Sequence, residues 1–300
     1  MKKSNNKQIN IISIVILCAI LVCFYTFSPA FRAELEKYGI TDVFNYNEPV
    51  DGLEVHFIDI GQGDSILIKD ERFAVLIDAG PNSSEEKLLS YLRDEGIKRL
   101  DCLVLTHPHE DHIGGADLII DRLKIDSLLM SDCTASSAAF ENLISSVENS
   151  NLSITIPLSG DKFSLGELDF TVLAPISNTY EDTNNYSIVL KLDYGNTSFV
   201  FTGDAEAQSE KEILQKFDES ILKCDVLKAG HHGSSTSNSK KFVKTLSPDY
   251  AVISCELNNS FGHPHKEILA LFNENNINVL RTDLESSIVF VSDGNKVSVK

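Results

Sequence analysis

The stretch "LTHPHEDHIGGA", Leu105 to Ala116, sets three histidines and two acids inside the six residues from His107 to His112. The chain has eight histidines in all, and most of the others are grouped as well. His231 and His232 lie in "AGHHGSS", His263 and His265 lie in "GHPH", and only His56 stands apart. Histidines scattered over a solvated surface would not fall in three tight clusters, so the pattern asks for a fold that brings them together. Pro108 blocks a helix and holds its loop extended. Residues two apart in an extended segment face the same way, so His107 and His109 can serve one ion. The helix suggested by "IGGADLII" would begin just after His112, which leaves Asp111 and His112 adjacent at a turn and able to face a neighbouring ion. Gly114 and Gly115 let backbone come close there. Imidazole and carboxylate together suit zinc, manganese or iron at an open catalytic site better than a closed structural one.

Working outward, "RLDCLVLTH" is a short apolar strand running into the cluster. Upstream, "LEVHFID" alternates, "GQG" turns, "DSILIK" returns and "FAVLIDAG" follows, which is a meander of hairpins. "SSEEKLLSYLRDEGI" has acids in its first turn, Ser83 or Ser84 as cap and Gly96 at its end, the marks of a helix. Downstream, helices at "SAAFENLISSVEN", "AEAQSEKEILQKF" and "PHKEILALFNENN" interleave with strands such as "YSIVLKLDYG", "TSFVFTGD", "KCDVLKAG" and "DYAVISC". Strands this apolar need cover on both faces. The expectation is a layered α/β domain, two sheets packed together with helices outside, over residues 51–300. His56, in an alternating strand, reads as core. Asp64, in "GQGDS", reads either as a turn former or as a residue facing the site.

Composition bounds the partners. A net charge of −18 over 300 residues is unsuited to holding polyanions on a general phosphate-neutralising surface. Stable nucleic-acid binding by charge is therefore not expected, and such a substrate would be gripped locally, by metal ions or a local basic patch. Residues 1–30 read as a membrane anchor or signal segment and 31–50 as a linker. Lys2, Lys3 and Lys7 precede an apolar run of 19 residues, Ile9 to Phe27, long for a signal peptide and near the length of a membrane-spanning helix. Ser28-Pro29-Ala30 keeps a cleaved signal open as the alternative. The flanking lysines should stay cytoplasmic, which puts the rest of the chain outside as a single-pass cell-membrane protein, or secretes it. Cys102, Cys133, Cys224 and Cys255 lack the paired spacing of a cysteine zinc site and read mainly as buried thiols.

"THPHEDHIGG" resembles the signature of the metallo-β-lactamase fold hydrolases. "VHFIDIGQGDSILI", "LIDAG", "NNYSIVLKLDYGNTSFVFTGD", "LKAGHHGSSTSNS" and "GHPH" follow in the order and approximate spacing seen in the extracellular hydrolase domain of ComEC-type DNA-uptake proteins. The resemblance covers residues 51–300. It implies a four-layer αββα sandwich, preceded here by the N-terminal apolar helix, with two divalent metal ions, zinc or manganese, at one edge. It implies His107 and His109 as ligands of the first ion, Asp111 and His112 of the second, Asp204 as the shared carboxylate, and His231 as the last ligand with His232 as its alternative. Asp78 is expected to brace the histidine loop from behind. Where many members place a further histidine, this chain reads "EDTNNYSIV", which leaves Asn184, Asn185 or a water to complete the first site. His263 is expected to touch a substrate phosphate or give a proton, and His265 either shares that task or caps a helix.

The chemistry expected of this set is metal-dependent hydrolysis, with Asp111 and Asp204 orienting the attacking water and His263 steadying the leaving oxygen. The expected substrate is a phosphodiester, with DNA suggested by the ComEC resemblance. Between Ser28 and Lys300 no run approaches a membrane span, so that stretch carries no multi-helix channel. Hydrolysis of a cell-wall or lipid phosphodiester, hydrolysis of a β-lactam, and a non-catalytic metal-binding role in an envelope assembly are the competing readings. Protein partners are not legible.

Overall fold

A computed structural model describes residues 52–300. The expectations for the apolar run, its flanking lysines and the linker fall outside the described residues, among which no helix is long and apolar enough to cross a membrane.

The chain begins with the expected meander: β1 (Leu53–Phe57), β2 (Ile66–Lys69) and β3 (Ala74–Ile77) pair antiparallel in sequence. Next come β4 (Arg99–Leu100), β5 (Cys102–Leu105), β6 (Lys124–Ile125), β7 (Leu128–Met130) and β8 (Ile154–Thr155). β5, β7 and β8 add parallel to β3, and β16 (Ile288–Ser292) and β17 (Val297–Val299) close the other side. The second sheet holds β9 (Lys162–Leu165), β10 (Leu168–Ala174), β11 (Val189–Tyr194) and β12 (Thr197–Phe201), antiparallel. β13 (Val226–Lys228), β14 (Tyr250–Ile253) and β15 (Asn278–Arg281) continue it in parallel. The pair β4–β6 stands apart from both.

Alternation along the strands decides what each layer buries. In β12, Phe199 and Phe201 face one core while Val200 faces another. In β14, Val252 shares the core of Phe199, and Ala251 and Ile253 take the opposite side. Val55, Phe57, Ile66 and Val75 of the first sheet meet Phe170, Leu190, Phe199 and Phe201 of the second in the central layer. Outside the first sheet, α1 (Glu85–Asp94), α2 (Glu110–Ile113), α3 (Ala116–Arg122) and α4 (Ala138–Asn149) follow in chain order. Leu88, Leu92, Ile119 and Leu143 of α1, α3 and α4 pack on Leu76 and Leu103. Outside the second sheet, α5 (Ala207–Lys216), α6 (Glu219–Leu222), α7 (Lys240–Leu246) and α8 (Lys266–Glu274) supply Ile213, Leu222, Phe242 and Phe272 against Val200 and Leu227. Three stacked apolar layers separate four layers of secondary structure, as expected from strands apolar on both faces.

One boundary differs from expectation. Helix begins at Glu110, ahead of His112, as the single turn α2, and α3 starts afresh at Ala116. Gly114 and Gly115 sit where backbone meets backbone: an added Cβ would lie 2.3 Å from Asn82 N and 2.6 Å from Ala79 O. Asp111 and His112 therefore ride on a helical turn pressed against residues 79–82. Cys102, Cys224 and Cys255 are buried free thiols, and Cys133 is partly exposed; burial pushes the Cys102 thiol up to about 12.

Candidate metal centre

The site gathers at the carboxyl ends of strands from both sheets, where open α/β sheets place ligands. β3 leads into Asp78, β5 into Thr106 and His107, β12 into Asp204, and β13 into His231 and His232. Ile188 N donates to Thr106 O at 3.0 Å and ties the two rims together.

Asp78 organises the histidine loop. It is fully buried, and its carboxylate accepts from Thr106 N, from Thr106 Oγ1 and from His112 Nδ1, each at 2.8 Å. Thr106 Oγ1 has thus spent its proton and can accept from His107 Nδ1 at 3.1 Å. One carboxylate fixes two rings, His112 directly and His107 through a hydroxyl, and leaves each Nε2 without a proton in the neutral ring. Ser187 Oγ lies 3.3 Å from His107 Nδ1 and accepts from Asp204 N at 3.1 Å. Burial pushes the Asp78 carboxyl up, against the pull of His112.

Asp204 stands where the rings converge. Its Oδ1 is 3.3 Å from His112 Nε2, and its Oδ2 is 3.6 Å from His231 Nε2, 3.6 Å from His232 Nε2 and 4.0 Å from His107 Nε2. His109 Nδ1 lies 3.0 Å from His107 Nε2, and His232 Nε2 lies 3.3 Å from Asp111 Oδ2. Ligand atoms of His107, His112 and Asp204 fall within 4.8 Å of one another, as do those of Asp111, His112 and His232, and those of Asp64, Asp204 and His232. His232 rather than His231 enters these tight groups. Its Nδ1 donates to Ser254 O at 3.0 Å, which again frees Nε2. Both members of the doubled histidine reach Asp204, so the pair offers two rings and not a choice of one. His231 is the more open, with Nδ1 held by Thr236 Oγ1 at 3.1 Å beside Glu206 Oε1 at 3.4 Å.

Asp78, His231 and His232 all hold positive φ, at 58°, 50° and 53°. For residues with a Cβ this costs on the order of 1–3 kcal/mol each, and such strain collects at functional sites.

Divalent ions fit these residues. His112 Nε2, His232 Nε2 and Asp204 Oδ1 are buried and have no hydrogen-bond partner among the described residues. Each would cost about 1–3 kcal/mol if nothing engaged it. Charge agrees. Burial disfavours the His112 cation, yet Asp204, Asp78 and Asp111 raise that ring's pKa well above its usual value. His232 is likewise raised to about 10, against burial, by Asp204 and Asp64. Burial opposes ionisation of Asp204, but His232, His112 and His107 hold it ionised, well below the carboxylate range. Burial and His112 instead keep His107 neutral, the form in which imidazole binds metal. An acid-rich cluster that holds protons on buried histidines calls for positive charge.

The remaining candidates separate. Asp64 faces the site from below. It is buried, with Oδ1 3.5 Å from His232 Nδ1 and Oδ2 2.8 Å from Lys228 Nζ. Burial pushes its pKa up, but Lys228 and His232 outweigh this and bring it to about 2. Its loop is pinned at Gly63, where a Cβ would lie 2.2 Å from Asp111 O. Asn184 Nδ2 donates to Glu206 Oε1 at 3.2 Å, and its buried Oδ1 is free of partners among the described residues. Asn185 is otherwise engaged: its Oδ1 accepts from Glu206 N and Ser209 N at 3.1 and 3.2 Å and so begins α5. His263 stands 5.5 Å from the His231 ring and 6.2 Å from the His232 ring, centroid to centroid. Burial and the neighbouring histidines lower it to about 4, so at neutral pH it is an uncharged hydrogen-bonding ring. His265 Nδ1 accepts from Ser235 N at 2.9 Å and ties the Ser/Thr loop to the start of α8. His56 is core as expected, bonded to Tyr91 and Glu54.

Sequence reasoning missed Lys228, Thr106, Ser187 and Glu206. Lys228 alone left a signal, a charge on an inward position of the apolar run "CDVLKAG". The hydroxyls and Glu206 have no distinguishing spacing.

A four-layer sandwich with histidines and aspartates converging at its strand ends is an arrangement that supports a metal-dependent hydrolase. The chain belongs to the metallo-beta-lactamase superfamily, whose family model matches residues 58–256. It is 36% identical over 255 residues to ComE operon protein 3 of Bacillus subtilis, covering 79% of this chain and 33% of that protein. To competence protein ComA of Neisseria gonorrhoeae it is 29% identical over 233 residues, covering 77% and 31%. The chain thus spans about a third of the length of these relatives. Among solved structures, the metallo-beta-lactamase fold protein YhfI from Bacillus subtilis superposes with a TM-score of 0.52 at 15% identity, covering 80% of this chain and all of that one. That likeness speaks for the fold.

Proposed function

We propose that this chain is a two-metal phosphodiesterase that acts on a nucleic-acid-like substrate outside the cytoplasmic membrane. The observation that carries the reading is Asp204, one carboxylate with histidine rings converging on both of its oxygens. Divalent ions held there by Asp204 and the surrounding His107, His112, His231 and His232 would supply Lewis-acid charge to a phosphodiester undergoing displacement. Asp78 holds His112 and His107 in the ligand tautomer. Asp111 is partly exposed, and against burial His112 and His232 hold its carboxyl ionised, well below the usual carboxylate range, so it orients an incoming water as a hydrogen-bond acceptor. His263, neutral and within ring contact of His231 and His232, offers an N–H to a phosphoryl or leaving oxygen. The competence names of the relatives support DNA as the substrate class, and they belong to proteins about three times as long.

The test is a substrate panel on purified protein: a chromogenic phosphodiester, single-stranded DNA and a chromogenic cephalosporin. The first two should turn over and the third should not; cephalosporin turnover alone would overturn the reading. Metal preference should follow the amides of "EDTNNY". Asn184 offers an oxygen where imidazole is common, and oxygen favours manganese relative to zinc. Activity should therefore be higher with manganese than with zinc alone, and mild chelation should strip one ion first. Asn184→His should tighten that ion and move the preference toward zinc. Two zinc ions retained through chelator dialysis, with no manganese stimulation, would contradict this.

Placement outside the membrane rests on Lys2, Lys3 and Lys7 ahead of the apolar run. Protease added to wall-stripped cells should digest the hydrolase portion while membranes stay intact. Protection would reverse the orientation, and N-terminal sequencing of the mature protein separates anchor from cleaved signal.

A further inference from the structure

The loop between Cys255 and His265 borders the metal centre and leaves two apolar side chains in water, Leu257 at 58% and Phe261 at 62% exposure. Phe261 is held there. Asn259 Oδ1 accepts from Phe261 N at 3.1 Å and His263 N at 3.0 Å, and Asn259 Nδ2 donates to Glu256 O at 2.8 Å and His263 O at 2.6 Å. One carboxamide fixes the backbone on both sides of the ring. Phe261 stacks on His263, with centroids 5.7 Å apart and planes 20° from parallel. His263 in turn contacts the His231 and His232 rings beside Asp204. A row of rings thus runs from the metal-binding residues to solvent and ends on an open aromatic face. Leaving such a ring in water forgoes about 1.5–3 kcal/mol of burial, and a loop this well tied has no need of it for its own order.

We infer that Phe261 is the stacking platform for a nucleobase next to the scissile phosphodiester, so that the substrate is a single-stranded nucleic acid; this rests on the phosphodiesterase reading above. Of its exposed neighbours Glu256, Leu257, Asn258 and Ser260, only Leu257 is apolar; a base needs one flat face, which Phe261 supplies. Bases in a duplex are already stacked and offer none. With a net charge of −18, the protein gains from a grip that does not depend on basic residues. Stacking on an aromatic side chain is such a grip, worth about 1–3 kcal/mol per base.

The experiment uses the full chain with manganese and compares kcat/KM on single-stranded DNA, on the same strand with abasic sites flanking the scissile bond, and on duplex DNA. Wild-type protein should prefer the base-bearing strand over both. Phe261→Ala should cut the ratio of base-bearing to abasic kcat/KM by about 5- to 150-fold, the fold-change of that stacking energy, mainly through KM. Phe261→Trp should keep the ratio. Equal losses on both strands, or no loss, overturn the platform while leaving the phosphodiesterase standing. Selective loss on a saccharide- or lipid-linked phosphodiester instead would assign the ring to another substrate and overturn it as well. Failure of wild-type protein on every phosphodiester overturns both readings.

Discussion

Asp204→Ala protein should lose metal at both positions together and retain less than about 1% of wild-type activity. Removing a residue that merely supports a ligand costs about 10–100-fold in metal affinity or activity, and Asp204 does more. Its two oxygens face His112 on one side and His107, His231 and His232 on the other. Elemental analysis after gel filtration checks the first half of the expectation, and phosphodiester turnover checks the second. Asp78→Ala provides the contrast, because Asp78 is bonded to Thr106 and His112 and supports the ligands from behind. It should weaken metal binding by the smaller factor and leave both positions able to fill at high concentration. An Asp204→Ala protein with full metal content would remove the shared-carboxylate assignment.

Lys228→Met should produce the largest loss of stability. Lys228 and Asp64 form a fully buried ion pair at 2.8 Å between a strand of the second sheet and the hairpin loop of the first. Removing one partner of such a pair strands the other charge and costs about 3–5 kcal/mol. For a domain of this size each kcal/mol is worth about 2–4 °C, so the melting temperature should fall by roughly 6–20 °C. Adding Asp64→Asn removes the stranded charge and should recover part of the loss. It should not recover metal affinity, because Asp64 also faces His232. A melting temperature within a degree or two of wild type for Lys228→Met would show that the pair contributes nothing net.

Much of this arrangement was legible beforehand because its signals are local. Alternating apolar residues report strand faces, so "LEVHFID" and "TSFVFTGD" could be read as strands with two covered sides. His107, His109, Asp111 and His112 are close in sequence, and a short loop cannot scatter them far. What stayed hidden depends on distance in sequence. That His232 joins Asp111 while His231 stands more open follows from two successive left-handed residues, which the letters "HH" do not encode. Asn185 looks like a ligand until α5 arrives and takes its oxygen. Lys228 reads as a stray charge until Asp64 meets it from the other sheet. Thr106 and Ser187 orient His107 through hydroxyls too common to mark anything. The onset of helix at Glu110 was missed because Pro108 suggested a longer extended segment than the packing of Gly114 against Asn82 allows.

The strand ends that carry the candidate site come from both sheets, and this makes the site a clasp between them. Whatever binds the folded chain and not the unfolded one stabilises it by mass action, about 2.7 kcal/mol when free ligand stands at a hundred times its dissociation constant. Asp64 and Asp204 fall in one close group of ligand atoms with His232, and Asp111 falls in another with His112 and His232, so residues of both sheets would share what binds there. The durability of the protein is therefore set partly by its surroundings. Where divalent metal is plentiful the two halves of the sandwich are fastened and the chain persists. Where metal is scarce the same sequence is a weaker object, opened more often and exposed sooner to proteases.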